Sequence, residues 1–401
     1  MMFSLGTWPI PAVMRNRLAA AQRQLFAAPP DSIPQLRPAQ SDAIAAARVF
    51  CIVGIVYAHA WTGRTASWIV ANSDTDQGIF RWLLVELIGR SSVPLLGMIS
   101  GWLVASSAMR RGYWRFIGGK ARTILAPMLL WNALAVLIVG GSVWMGWIRG
   151  PRPKDIEWVI EEIVGYATFN DINIQTTFLR DLFICMVLAP LLIRLKTRWL
   201  GLLAGVVFAW AVFAWWFPLF LRPQIALFFL IGICARRHGF ADRVAAMPFA
   251  YAALPFAIFG PVKLAISIWG FQFTRANPEL VAMVDVGMRI TAAMLAWRTA
   301  VALANTPLLP MLKRFEPYAF LLFCSHMIMI WLGGQTIGRL FTGPLGSPGY
   351  PLFLLIQPVL VLAATVVLGR FLVEVAPDAA KLLSGGRLRG EPKIRSALAT
   401  A

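Results

Sequence analysis

Residues 44–63 read IAAARVFCIVGIVYAHAWTG, a stretch of membrane-spanning length that carries two ionisable side chains, Arg48 and His59. Such side chains are costly inside a bilayer, so they face a protein interior and mark a pathway or a site. Arg48 and His59 are eleven residues apart, close to three helical turns. One helix would place them on a common face, roughly 16 Å apart along its axis. If that helix crosses the membrane, the arginine sits near one surface and the histidine in the far half. The separation suits a protein that takes a reagent from one side and delivers a group toward the other.

The rest of the chain has the same character. Of its 401 residues 59% are hydrophobic and only 14% charged, against about a quarter charged in soluble proteins. Mean hydropathy is +0.69. Apolar runs of span length recur between short polar or Pro/Gly-containing connections, which predicts an all-α, polytopic transmembrane bundle. Ten spans are expected, near 44–63, 80–107, 123–147, 177–194, 200–219, 222–235, 249–269, 281–303, 317–340 and 349–373. The sixth is short for a full crossing, and the second is long enough to tilt or to break near Pro94. Residues 1–43, with Pro29, Pro30 and Pro34 and no uninterrupted apolar core, read as a flexible tail rather than a secretory signal. Residues 374–401 read as a second, basic tail, which leaves 44–373 as the membrane domain.

A net charge of +19 raises the question of nucleic acid, but the distribution answers it. With the N-terminus inside, the cytoplasmic segments hold 22 Lys/Arg, whereas the opposite loops hold seven: Arg64, Arg149, Arg152, Lys154, Arg222, Arg275 and Arg339. This positive-inside bias predicts both termini in the cytoplasm, a lipid bilayer as partner and no nucleic acid. Acidic residues gather in the longest external loop, 148–176. That loop also carries Trp158, Tyr166 and Phe169, with Trp147 at its edge, and reads as a packed amphipathic lid ahead of a sugar-contacting surface. Cys51, Cys185, Cys234 and Cys324 all lie in apolar stretches without metal-ligand spacing, so no metal site is expected and they read as small buried hydrophobes. Oligomeric state is not encoded in any visible pattern, and a homo-oligomer is compatible with all of these features.

Several segments carry chemistry. His59 can take a proton from a hydroxyl near neutral pH, as a general base for acyl transfer must. Arg90 lies four residues after Glu86, a spacing that allows an intramembrane ion pair, as does that of Asp285 and Arg289. Ser100-Gly101 permits close helix approach. The stretch RRGYWRFIGGKARTILAPMLLWN (110–132) concentrates Arg110, Arg111, Arg115, Lys120 and Arg122 at the inner face. It reads either as a topology determinant beside anionic headgroups or as a seat for the phosphates of a nucleotide-like donor. In TTFLRDLFICMVLAP (176–190), Arg180 and Asp181 are adjacent, point about 100° apart on a helix, and are expected to find separate partners. FLLFCSHMIMI (320–330) buries His326 in a late span. GxSxG, HExxH, P-loop and GxGxxG motifs are absent. Ten spans with buried ionisable residues also fit a transporter or exporter of a small anionic metabolite.

Taken in order along residues 43–373, these segments resemble the acyltransferase-3 family of integral membrane O-acyltransferases. The resemblance rests on Arg48 followed eleven residues later by His59, on VPLLGMISGW, KARTILAPMLLW and TFLRDLF, and on the late histidine helix. Leu96, Gly97 and Thr177 stand where the family usually has aromatic residues. The resemblance implies a bacterial inner-membrane enzyme that moves an acetyl or succinyl group from acyl-CoA, approached from the cytoplasm, to a hydroxyl of an extracytoplasmic saccharide. His59 would be the base and Arg48 a polarising or positioning group. Lys120 and Arg122, with Arg115 beside them, would meet donor phosphates. Arg90, Ser100, Gly101, Arg180, Asp181 and His326 would line or shape the substrate site. No tightly bound cofactor is implied.

Overall fold

The computed structural model describes residues 37–107, 112–215 and 217–388, and these form helices and connections without a strand. Helix α1 is Pro38–Ala58. It is followed by α2 (Asp76–Ala105), α3 (Tyr113–Trp144), the short α4 (Ile156–Val164) and α5 (Ile174–Leu192). Next come α6 (Thr197–Phe213), α7 (Pro223–His238), α8 (Phe249–Trp269), α9 (Pro278–Ala304), α10 (Leu309–Thr342), α11 (Tyr350–Val375) and α12 (Pro377–Leu383). Eight of them, α1, α2, α3, α5 and α8 to α11, are long and apolar enough to cross a membrane. The fifth and sixth expected spans correspond to α6 and α7, helices of 17 and 16 residues, short of the roughly 20 that a perpendicular crossing uses.

Sequence chemistry accounts for the starts and breaks. Proline opens α1, α7, α9 and α12, where a missing amide costs nothing. The Asp155 carboxylate caps α4 by accepting from the Trp158 amide at 2.7 Å. Pro94 does not break α2; the helix runs through it. Its missing amide leaves the Arg90 carbonyl without its usual donor, and Arg289 Nη1 approaches that oxygen at 3.5 Å. The irregularity lies just before, where Leu83–Arg90 widens into π-helical turns, a distortion that often accompanies functional sites.

Helix α1 is central and packs against α2, α9, α10 and α11. Its inward positions are small: Ala43, Ala46, Ala47, Cys51 and Gly54 are all buried. Small residues let backbones approach where lipid supplies no hydrophobic drive between helices. The tightest approach joins α2 to α7: a Cβ on Gly101 would lie 2.0 Å from the Phe229 carbonyl oxygen, and one on Gly232 would lie 2.1 Å from that of Met98. Helices α5 and α10 have 61% of their apolar windows buried and α8 only 17%, so the former pair forms the middle of the bundle and α8 its rim. All four cysteines are free thiols, three of them buried.

Two expectations shift. The α1 helix ends at Ala58, so His59 is its C-cap, with φ −117° and ψ 10°, and is not a helical residue facing the same way as Arg48. The C-terminal segment is docked as far as Leu388: Trp131 Nε1 donates to the Leu383 carbonyl at 3.0 Å, and Leu388 is buried in the core. Most of the expected N-terminal tail, Arg110, Arg111 and the end of the C-terminal tail lie outside the described residues.

Replacing Gly101 by leucine should drive α2 and α7 apart and remove the monodisperse peak in fluorescence-detected size exclusion. Gly118→Ala, where nothing lies within 4 Å, should leave that peak unchanged.

Candidate active site

Two cavities enter the bundle from opposite ends. The proximal end is the one that carries both described termini. There Arg48, Ser100, Lys120, Glu316, Phe320, Phe323 and Arg387 help line a cavity of about 170 Å³. At the distal end, His59, Trp61, Arg64, Arg149, Trp331, Gln335 and Arg339 help line one of about 530 Å³. Between them lies His326, 1% exposed. Its ring sits 5.5 Å from that of His59 on the distal side and 6.1 Å from that of Phe323 on the proximal side. Phe178 packs 5.6 Å from Phe323 and completes an aromatic floor between the cavities.

The chain beyond His59 is pinned by buried side chains. Trp61 donates its amide to Gln357 Oε1 at 2.9 Å, and its carbonyl accepts from the Tyr350 hydroxyl at 3.1 Å. The Trp61 indole lies against Gly334 and Gly338, where any Cβ would come within 2.6 Å of the ring. Gly63, at φ +65°, then turns the chain between that indole and Pro344, a conformation that favours glycine. His59 is thus held at the mouth of a helix end by contacts that any side chain at Gly338 would break.

His326 is positioned by hydrogen bonds. Its Nδ1 lies 3.1 Å from the Leu322 carbonyl. A carbonyl accepts only, so Nδ1 carries the proton and Nε2 the lone pair. That Nε2 is buried and has no partner among the described residues. The helix holding it is braced by a polar network. Asn132 Oδ1 accepts from Asn173 Nδ2 and Thr176 Oγ1 at 2.9 and 2.8 Å, and Gln175 reaches the Phe323 and Cys324 carbonyls.

The remaining expected site residues divide. Arg48 lines the proximal cavity and pairs with Glu316 at 2.8 Å; it shares no cavity with His59. Ser100 lines the same cavity, its hydroxyl bonded to the Leu96 carbonyl, while Gly101 is a packing residue. Lys120 lines it too, with Nζ 5.5 Å from the centre of the Phe116 ring. Arg115 and Arg122 are exposed on the first turns of α3 and line neither cavity; the helix starts earlier than the hydropathy suggests and turns them outward. Arg90 pairs with Glu86 at 2.7 Å, and Glu86 is also approached by Lys263 at 3.6 Å and bonded by Ser267. The cluster is structural and lines neither cavity. Asp285 and Arg289 pair as expected, at 2.6 Å.

Arg180 and Asp181 do pair directly, at 2.7 Å. A guanidinium on three methylenes reaches around the 100° that separates neighbouring helical positions. Arg180 also donates to the carbonyls of Tyr166, Pro218 and Leu219, and Asp181 accepts from the amides of Leu221 and Arg222. The pair is a clamp on the 218–222 turn and lines neither cavity, although its neighbours Leu179 and Leu182 line the proximal one.

The 148–176 loop is a self-bonded lid. Glu161 accepts from Ala167 and Thr168, Glu162 accepts from the amides of Asp171 and Ile172, and Asp171 accepts from Trp158 Nε1. Burial pushes the Glu162 carboxyl above its ordinary range, against the pull of those amides. Sequence reading missed the convergence of Arg64, Arg149 and Arg339, whose one visible signal was their place on the arginine-poor side. It also missed Arg387, which stacks 4.0 Å from the Phe320 ring. Withdrawal from bulk water, with Arg48 nearby, lowers that guanidinium to about 10, still charged at neutral pH.

Comparison with known proteins adds to this geometry. The family profile described as an acyltransferase domain, that of acyltransferase-3, matches residues 41–371. The chain belongs to the acyltransferase-3 family. A relative within reach is the succinoglycan biosynthesis protein ExoH of Rhizobium meliloti (strain 1021), 29% identical over 363 residues, which cover 85% of this chain and 90% of the relative. No solved structure gives a significant match. The protein is therefore a multi-pass membrane acyltransferase, which removes the ground for reading it as a transporter.

Arg180→Ala should free the 218–222 turn and lower the melting temperature in detergent by several degrees. Arg180→Lys should recover little of it, because a point charge cannot bond several carbonyls and a carboxylate in one plane.

Proposed function

We propose that this acyltransferase moves an acyl group, acetyl or succinyl, from acyl-CoA in the proximal cavity to a hydroxyl of a cell-envelope saccharide in the distal one. The observation that carries the reading is the approach of two cavities from opposite ends to a single histidine pair. The proximal end is cytoplasmic by the positive-inside distribution, which gives a bacterial inner-membrane enzyme with both termini inside. The relative named for succinoglycan biosynthesis supports a saccharide acceptor.

The chemistry needs few groups. The donor's phosphates meet Lys120 and Arg387 at the proximal mouth, with Arg48 deeper and partly neutralised by Glu316. Its pantetheine arm would run along the apolar wall of Leu96, Ile99, Phe320 and Phe323 toward the aromatic floor. His59 takes the acceptor's hydroxyl proton as the oxygen attacks the thioester carbonyl. The carbon–sulfur bond breaks, the thiolate leaves, and the imidazolium returns the proton to sulfur, so the products are an ester and free CoA. His326 supports the transfer from below, its unpartnered Nε2 available to accept a hydrogen bond from His59 or the hydroxyl. The floor between the cavities must yield for thioester and hydroxyl to meet, and the contact between Phe178 and Phe323 is the place where it can.

His59→Ala should cut acylation by roughly 100- to 10,000-fold, the usual worth of a general base, with insertion and expression intact. The measurement is mass spectrometry and proton NMR of envelope saccharides from a deletion strain complemented with each variant; an unchanged ester content would refute the base. In proteoliposomes, Arg387→Gln should raise the KM for acyl-CoA about tenfold, the worth of one charge-assisted hydrogen bond, and leave the acceptor's KM alone. The same change at Arg115 should affect neither.

A further inference from the structure

The distal cavity is more cationic than the transfer of an acyl group requires. Arg64, Arg149 and Arg339 all line it, and no carboxylate does. Arg37, Arg48, Arg90, Arg180 and Arg289 each pair with a carboxylate, whereas none of these three does among the described residues. They come from separate parts of the chain: the turn after α1, the segment after α3 and the widened last turns of α10.

Two of these segments are tied down. Arg64 donates from Nε to the Leu345 carbonyl at 2.8 Å and stacks 4.4 Å from the Trp68 ring, which leaves its two Nη nitrogens available. The backbone at Arg149 is held by Gln335 Nε2, which donates to its carbonyl at 3.1 Å. Gln335 lies four residues before Arg339 on α10, so one helix end organises both arginines. Trp61 and Trp331 supply flat apolar surface beside them. A volume of about 530 Å³ falls within the range of small-molecule sites, roughly 300–1,000 Å³. Guanidinium forks set beside indole faces recognise an anion carried on a ring-shaped, partly apolar ligand.

We infer that the distal cavity is a subsite for an acidic saccharide, in which Arg64, Arg149 and Arg339 grip a carboxylate or phosphate of the acceptor and thereby present a neighbouring hydroxyl to His59. This rests on the acyl-transfer reading above and narrows its acceptor to an anionic one. The three arginines act in binding; His59 does the chemistry. Their field also gathers an anionic acceptor from solution, an effect that salt weakens.

The test divides unacylated envelope saccharide from a deletion strain into three portions. One is left untreated, one is carboxyl-reduced and one is dephosphorylated with hydrogen fluoride. Each is offered with acyl-CoA to proteoliposomes holding the full chain. The native protein should show a KM at least tenfold lower for the untreated saccharide than for the portion that has lost its anion, which also tells carboxylate from phosphate. Arg64→Gln and Arg339→Gln should each raise the KM for untreated saccharide about tenfold and keep kcat within threefold. Neither should alter the KM for the neutralised portion, and Arg275→Gln, elsewhere on the distal end, should change nothing. Equal KM values for all three portions, unmoved by the variants, would overturn the acidic subsite and leave acyl transfer standing. A fall in kcat at constant KM would also overturn it, by giving the arginines to the transition state. Absence of turnover on every portion would instead remove the saccharide acceptor and this inference together.

Discussion

A chain that breaks its helices at membrane depth must find new partners for the amides and carbonyls it frees, because lipid offers none. Much of this protein's architecture follows from that demand. Where α1 stops, Gln357 and Tyr350 take up the Trp61 backbone. Where the chain turns into α7, Asp181 accepts the Leu221 and Arg222 amides. Where the chain passes from α4 back to α5, Glu162 accepts the Asp171 and Ile172 amides and Asn132 donates to the Ile163 carbonyl. In each case a polar side chain stands in for a missing helical partner, and at the proximal end Arg237 does so for the Ile193 and Leu195 carbonyls.

The consequence is an asymmetric bundle. Its proximal cavity is lined mostly by side chains of long helices, and it is narrow and flanked by a compensating carboxylate, Glu316. Its distal half is built of helix ends and turns, and the cavity there is about three times larger and has no acidic residue in its wall. On the proposed reading a thin donor arm takes the first. The bulkier acceptor, on the same reading, takes the second, whose walls include turns as well as helices.

Sequence patterning gave the helical class, the positions of nearly all the spans and the ion pairs at i, i+4, because those depend on hydropathy and on a fixed helical period. Glu86 with Arg90 and Asp285 with Arg289 are of this kind. It also picked out His59 and His326, whose rarity in apolar runs made them visible. It could not place Arg64, Arg149 and Arg339 together, since nothing local encodes the meeting of two connections and a helix end. It misjudged Arg180 and Asp181 by reasoning from Cβ directions alone, when a long side chain can turn back on its neighbour. It misjudged Arg115 and Arg122 because the helix boundary moved by ten residues relative to the hydropathy edge, and a helix has an outside. The docking of Arg387 was invisible for another reason: a basic, glycine-containing tail reads as solvated until a cavity is there to receive it.

The aromatic floor has one more effect. The two cavities approach it from opposite ends, so little protein separates them along the path from Phe323 through His326 to His59, two ring contacts of 6.1 and 5.5 Å. A membrane voltage falls mainly where the insulation is thinnest, so the field across this bundle is compressed onto the histidines. A charge moved across the whole drop is worth about 2.3 kcal/mol per 100 mV. On the proposed reading, an acyl group that bears its own carboxylate is drawn toward the distal side by an inside-negative potential as it passes the floor, while a neutral acetyl group feels no such pull. On that reading the energised membrane is a silent participant in the choice of acyl group.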